Sequence, residues 1–268
     1  MVDYQSLMVL KKTMMNFLKV NKFDTSSDDY NETFTLKQFK VYLNKEIFYN
    51  ILLKLKDKYV KLEKESEPMF KKNYQQNIKC IQSYINDYLK LDSYNKYRLN
   101  LTNIYENDKG VKILIYFIQV NNSSISNKYL KQICQVMLYL GCLESVIITQ
   151  TEPSNQFKKD LELININRPI ENDPKIYRII SYTDNTFIDL TKHSYVPKLI
   201  TILRNKKLKE FIDKNKIKGI ESLPKILISD PICKFYRCRI NDVIELERES
   251  GLDYNLIDRQ LIYRTVVN

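Results

Sequence analysis

The sequence predicts an α/β unit followed by a small, mixed α+β module. Two features carry the first half. Val111, Ile113, Ile115 and Phe117 alternate in a β-branched run, which is strand patterning. Ser126 to Leu140 then puts Leu130, Ile133, Met137 and Leu138 on one helical face, and Glu144 to Gln150 reads as a second, fully buried strand. A strand, a helix and a strand joined by short connections make a right-handed βαβ crossover. The module rests on a third feature, a compact series of short elements from Thr186 to the end.

Taken in order, Leu7, Leu10, Met14, Phe17 and Leu18 recur at helical spacing and open the chain with an amphipathic helix. After a polar turn, Leu36, Phe39 and Leu43 mark a short helix with Thr35 as its cap. Residues 45–97 are rich in Lys, Tyr and Asn. Ile51, Leu52, Leu55, Tyr59 and Leu62, then Ile78, Ile81, Ile85, Tyr88 and Leu89, predict two helices broken at Pro68. Lys54, Lys56, Lys58 and Lys61 fall on their solvated faces. Gly141 suits the stop of the helix that precedes the second strand. Asn165, Asn167, Pro169, Asn172 and Pro174 are turn chemistry without apolar period and read as a linker. Beyond it, strands are expected at Thr186–Leu190 and Thr201–Leu203, a helix at Asn205–Lys216, and a closing hairpin from Val243–Arg248 and Gln260–Val267, with a long loop around Gly251 to Asp258.

Composition excludes several classes of chemistry. The chain has 268 residues, 44% of them hydrophobic, which is a globular balance rather than that of a disordered chain. Only 4 glycines occur, and Gly110, Gly141, Gly219 and Gly251 stand alone, so no glycine-rich loop cradles a phosphate. His193 is the single histidine, which leaves no His-paired nucleophile and no histidine metal cluster. Cys80, Cys134, Cys142, Cys233 and Cys238 lack zinc-ribbon spacing and read as free thiols of an intracellular protein. The longest apolar stretch, Val111 to Val120, falls short of a membrane span, so a soluble protein is expected. Net charge is +11, from 43 Lys+Arg against 32 Asp+Glu. From Ser181 on there are 16 and 12, which leaves 27 and 20 before it, so both parts are mildly basic and neither is a basic tail.

The module holds the residues that identify it. His193-Ser194-Tyr195-Val196-Pro197-Lys198, Leu223-Pro224-Lys225-Ile226, Asp230-Pro231-Ile232, Phe235-Tyr236, Val243-Ile244 and Tyr263-Arg264 follow one another at set spacings. In that order they resemble the small assembly subunit shared by eukaryotic nuclear RNA polymerases, their fifth subunit, and its counterpart in the archaeal enzyme. Two glycines of the family's pattern are replaced here, by Arg237 and Asn241. Asn tolerates the left-handed conformation better than most residues, and Arg does not. The second basic residue that usually follows the Val-Pro-Lys is replaced by Leu199. A fainter likeness to the family's N-terminal jaw runs through the opening helix, the strand after Gly110 and the turn Thr151-Glu152-Pro153-Ser154.

This resemblance implies a jaw domain over 1–172 with a nuclease-like βαβ core and a helical insertion at 45–97, a linker at 173–185, and an assembly domain over 186–268. It implies a non-catalytic subunit of a multisubunit DNA-directed RNA polymerase. The C-terminal module would dock on the largest subunit through the family motif residues His193, Val196, Pro197, Lys198, Leu223, Pro224, Lys225, Ile226, Asp230, Pro231, Tyr236, Tyr263 and Arg264. The jaw would lie beside downstream double-stranded DNA and touch phosphates without regard to sequence, with Pro153, Ser154, Lys158 and Lys159 as candidates. No cofactor is expected in this chain, and the catalytic magnesium is expected in the large subunits. On residue chemistry alone, His193 is expected to be structural, and Asp230 is expected to cap a helical turn with Pro231 as its first residue. Two other readings compete: a nuclease with Glu144 as metal ligand, and a DNA-binding regulator that works alone. The Lys-, Asn-, Ile- and Tyr-rich composition suggests an AT-rich genome, of a protist or of a large DNA virus, the latter favoured. Location follows from that, nuclear for a cellular subunit, or in the cytoplasmic virus factory and the virion for a viral one.

Overall fold

The computed structural model describes residues 3–118, 127–165, 178–193, 196–250 and 258–268. The chain divides into two units, Met1–Phe187 and Ile188–Asn268, each with its own four-stranded sheet.

In the first unit, α1 (Tyr4–Val20) is capped by Asp3, which accepts from the Ser6 N–H, and it buries Leu7, Leu10, Met14, Phe17 and Leu18 as the periodicity requires. Thr35 and Gln38 form a capping box at the start of α2 (Leu36–Leu43). The two helices expected over 45–97 form an antiparallel pair, α3 (Ile47–Glu65) and α4 (Pro68–Leu89), with Pro68 at the first turn of α4. Only the halves near the core are buried, through Phe48, Leu52 and Leu55 on α3 and Ile81, Ile85 and Tyr88 on α4. A further short helix, α5 (Ser93–Leu99), carries no strong apolar period and is absent from the sequence-based expectation.

The sheet runs in the order β1 (Asn103–Glu106), β2 (Lys112–Phe117), β3 (Glu144–Thr149), β4 (Arg178–Thr183). β1 is antiparallel to β2, whereas β2, β3 and β4 are parallel. Between β2 and β3 lies α6 (Asn127–Leu140), so the expected βαβ step is present. Every residue of β3 is buried, as a central parallel strand demands. Leu130, Ile133 and Met137 of α6 pack with Leu114, Ile147, Ile179 and Phe157, the last from α7 (Asn155–Asn165). α6 ends where Gly141 takes a φ of +68°, with Gly141 N–H bonding Leu138 and Cys142 N–H bonding Met137.

The linker expectation needs correcting. Asn165 closes α7 and grips the sheet, donating to the Ile179 carbonyl and accepting from the Ile179 N–H, both at 2.8 Å. Residues 178–183 are β4, held by β3, so the interval 173–185 is not a linker over that part, and 173–177 lie outside the described residues. The boundary falls after Phe187, whose ring packs on Phe17 and Tyr182.

Two buried cations organise this unit. Lys11 of α1 meets Asp28 at 2.6 Å, with both side chains fully buried. Tyr42 donates to the other carboxylate oxygen at 3.0 Å, and Tyr105 also donates to Asp28. Burial draws the Lys11 ammonium down to about 8, against the pull of Asp28. The second cation is Arg98 of α5, described with the candidate site.

The second unit has the strand order β5 (Lys198–Leu203), β7 (Val243–Ser250), β8 (Asp258–Val267), β6 (Lys225–Leu227), antiparallel except for β6 with β8. The β7–β8 hairpin is as expected, and its loop at 251–257 lies outside the described residues. The helix α8 (Asn205–Asn215) has no buried residue, although its Phe211 ring sits 4.5 Å from that of Tyr263. A short helix, α9 (Pro231–Phe235), adds Ile232, Cys233 and Phe235 to a core with Leu203, Val243, Ile244, Leu246 and Val266. Thr186–Leu190 is not the strand expected. Thr186 turns back on Thr183 through its hydroxyl, and Asp189 caps a 3-10 turn at Leu190–Lys192, so local side-chain bonds displace strand pairing there.

Candidate functional site

The motif segments of the second unit are tied together by main-chain bonds. Val196 N–H reaches the His193 carbonyl at 3.1 Å, and Lys198 opens β5 with its side chain exposed. His193 is exposed and ends the 3-10 turn, while Ser194 and Tyr195 lie outside the described residues. The Leu223-Pro224-Lys225-Ile226 segment is laid along β8. Thr265 N–H bonds the Pro224 carbonyl at 2.8 Å, Ile228 N–H bonds Val267 at 2.7 Å, and the Arg264 guanidinium reaches the Lys225 carbonyl at 3.3 Å. Pro224 thus ends the preceding turn and leaves its acceptor to the sheet. Tyr263 donates to Glu245 across the β7–β8 pair at 2.8 Å.

Asp230 caps α9, accepting from Ile232 N–H at 2.8 Å, with Pro231 in the first turn. The other end of α9 is a Schellman turn: Arg237 N–H bonds Lys234 at 3.2 Å, and Cys238 N–H bonds Cys233 at 2.8 Å. Such a turn needs a left-handed residue, and Arg237 supplies it at φ +54°, followed by Asn241 at φ +68°. These are the two positions at which the resemblance leads one to expect glycine. Both residues thus hold the left-handed conformation that glycine adopts freely, at a cost in strain that is greater for Arg237. Tyr236, half-buried, is the C-cap of α9.

Sequence reasoning missed the pair that anchors this turn. Arg204, ahead of α8, binds Asp242 with Nε at 2.7 Å and Nη2 at 2.5 Å, and Asp242 also accepts from the Arg239 N–H at 2.6 Å. The bonds to Asp242 raise the Arg204 guanidinium further above its ordinary value. Nothing local signals a pair so far apart in sequence. Around this frame, Ile200, Leu227, Ile240 and Leu261 are exposed apolar side chains, on or beside the two edge strands and the α9–β7 turn.

In the first unit the phosphate candidates divide. Pro153 is buried, and the Ser154 hydroxyl accepts from Phe157 N–H at 3.2 Å, which caps α7. Lys158 is paired with Glu152 at 3.0 Å on the surface, while Lys159 is exposed on the same helix. An exposed pair of this kind is worth little and yields readily to a stronger anion.

Open α/β sheets bind ligands beyond the carboxyl ends of their parallel strands. Here that position is filled by Arg98. Its Nε bonds the Ile118 carbonyl at 2.8 Å, Nη2 bonds that of Ile148 at 3.3 Å, and Asp184 takes two further bonds at 2.8 and 2.6 Å. Glu144, the residue the nuclease reading needs, lies at the opposite, amino end of β3. Among the described residues no group of three His, Cys, Asp or Glu side chains is placed to hold a metal ion, and no helix is long and apolar enough to cross a membrane.

The second unit, with its four-stranded sheet, Pro-fixed β6 and capped α9, is the part of the chain that comparison of sequences reaches. Residues 188–266 match the family model described as RNA polymerase Rpb5, C-terminal domain, a stretch that coincides with the second unit and covers less than half of the chain. The match supports a subunit of a multisubunit DNA-directed RNA polymerase, acting in transcription. Comparison of the whole chain with curated proteins finds no match.

Proposed function

We propose that this chain is a non-catalytic subunit of a DNA-directed RNA polymerase, with the C-terminal unit docked on the largest subunit and the N-terminal unit serving as a jaw beside downstream duplex DNA. The observation that carries the reading is the coincidence of the Rpb5 C-terminal match with the second compact unit, whose turn holds Arg237 and Asn241 in the left-handed conformation. Strain of this kind persists where the surrounding structure requires the turn. The jaw role rests on less: a basic α/β unit whose ligand edge is closed by its own Arg98, which favours a scaffold that touches phosphates from outside. Catalytic magnesium belongs, on this reading, to the large subunits. The replaced glycines and the 45–97 insertion favour a virus-encoded version.

Co-purification tests the assembly role. The tagged chain, expressed in its own cellular or viral setting, is expected to bring down the two large catalytic subunits in equal amounts. Recovery as a free monomer would refute the reading and favour a regulator that works alone.

A further inference from the structure

The Schellman turn that ends α9 brings two cysteines together. In such a turn the residue that donates the long main-chain bond and the residue that accepts it set their side chains against each other, a contact commonly made by apolar groups. Here the donor is Cys238 and the acceptor Cys233, joined from N–H to carbonyl at 2.8 Å. Their thiols are hydrogen-bonded to each other as well. Both residues are 0% exposed, and no other cysteine belongs to the second unit, since Cys80, Cys134 and Cys142 all lie in the first. Residues joined across one turn, with sulfur against sulfur, are within the reach of a disulfide, and closing the bond asks for side-chain rotation rather than backbone movement.

We infer that Cys233 and Cys238 are a modification site, a dithiol that a small-molecule disulfide oxidises to an intrachain bridge pinning the left-handed turn. The step balances with glutathione disulfide as the oxidant. One cysteine, as thiolate, attacks a sulfur of the oxidant and expels a glutathione thiolate. The other then attacks the mixed disulfide, expels the second glutathione and closes the S–S bond. Two electrons pass from the protein dithiol to the oxidant, and the two protons shed by the cysteines go to the two glutathione thiolates. The bond with Cys238 and burial hold the Cys233 thiol above its ordinary value, so it keeps its proton while the turn is closed. Attack therefore waits for a local opening of the helix end, which the strain at Arg237, φ +54°, favours. Once made, the bridge keeps the two ends of that turn together, and the oxidised unit is the more stable one.

Incubation of the full chain with excess oxidised glutathione, at mildly alkaline pH and without denaturant, tests the inference. Mass spectrometry is expected to show the loss of two hydrogens, and peptide mapping a link between Cys233 and Cys238. The melting temperature of the second unit should rise by about 4 °C or more, and dithiothreitol should reverse both changes. Cys233→Ala and Cys238→Ala, treated in the same way, should show no such rise. A chain that stays reduced at these two positions, or that carries glutathione on one of them without the link, would overturn the inference. So would a link that forms only in urea, or a linked chain whose melting temperature does not rise, because the bridge would then not belong to the native turn.

Discussion

Replacing Arg237 by glycine and by alanine separates backbone strain from side-chain loss, because both variants remove the same guanidinium and only alanine keeps a Cβ. At φ +54° the Cβ of an L-residue crowds the following carbonyl, which costs about 1–2 kcal/mol. Glycine gives back about 0.5–1 kcal/mol through the greater freedom of its unfolded chain. Arg237→Gly should therefore exceed Arg237→Ala in stability by about 0.5–1 kcal/mol, the reverse of the order inside a helix. For a domain of this size that is a difference of about 2–8 °C in the melting temperature of the second unit. The Schellman bonds from Arg237 N–H and Cys238 N–H are main-chain bonds, so neither variant removes them. Urea unfolding of the full chain, followed by hydrogen exchange at Val243 and Val266, reads the second unit separately from the first. Alanine equal to or better than glycine would refute the strain argument and the claim that a glycine turn has been kept.

Other outcomes follow from the buried charges. Asp28→Asn leaves Lys11 buried without its counter-ion and should cost about 3–5 kcal/mol, most of it recovered by adding Lys11→Met, as urea midpoints would show. Lys11 holds its proton less tightly when folded, so between about pH 8 and its ordinary value of 10.5 the unfolded chain carries a proton the folded one has released. Its contribution to stability must then rise with pH over that window and vanish in Lys11→Met. Arg98→Met strands the Asp184 carboxylate and two strand-end carbonyls and should cost about 3–5 kcal/mol in the first unit's unfolding transition while leaving the second unit's unchanged. Lys158→Glu with Lys159→Glu should lower the salt resistance of elongation complexes without blocking assembly, and unchanged salt resistance would remove these lysines from any phosphate contact.

What the sequence made readable was whatever rests on short-range pattern. Alternation at 111–117, the apolar run of β3, Thr35, Gly141 and Asp230 each act within a few residues, and the structure has them in the expected places. β4 escaped because Arg178–Thr183 has mixed polarity and follows an Asn- and Pro-rich stretch, and its strand state comes from β3 and from the Asn165 side chain. β6 escaped because three residues after Pro224 have no period, and only pairing with β8 makes them a strand. In the candidate site, motif order located the segments, but not what joins them. Arg204 with Asp242, and Arg264 with the Lys225 carbonyl, are contacts between distant positions, invisible to any local window. The turn at Arg237 runs the other way. Residue preference argued against a left-handed conformation there, and the helix end imposed it.

The place of Phe187 decides how the gene product can be divided. Its ring lies against Phe17 and Tyr182 and is 2% exposed, so the last residue of the first unit is one of its core aromatics. A chain ended at residue 185, inside the interval that reads as a linker, would lose that ring and leave a hole beside α1. Ending it one residue past Phe187 would keep the aromatic cluster whole. Exchange of C-terminal units between related chains should therefore succeed when the joint is set at Ile188, and yield a loosened first unit when it is set two or more residues earlier.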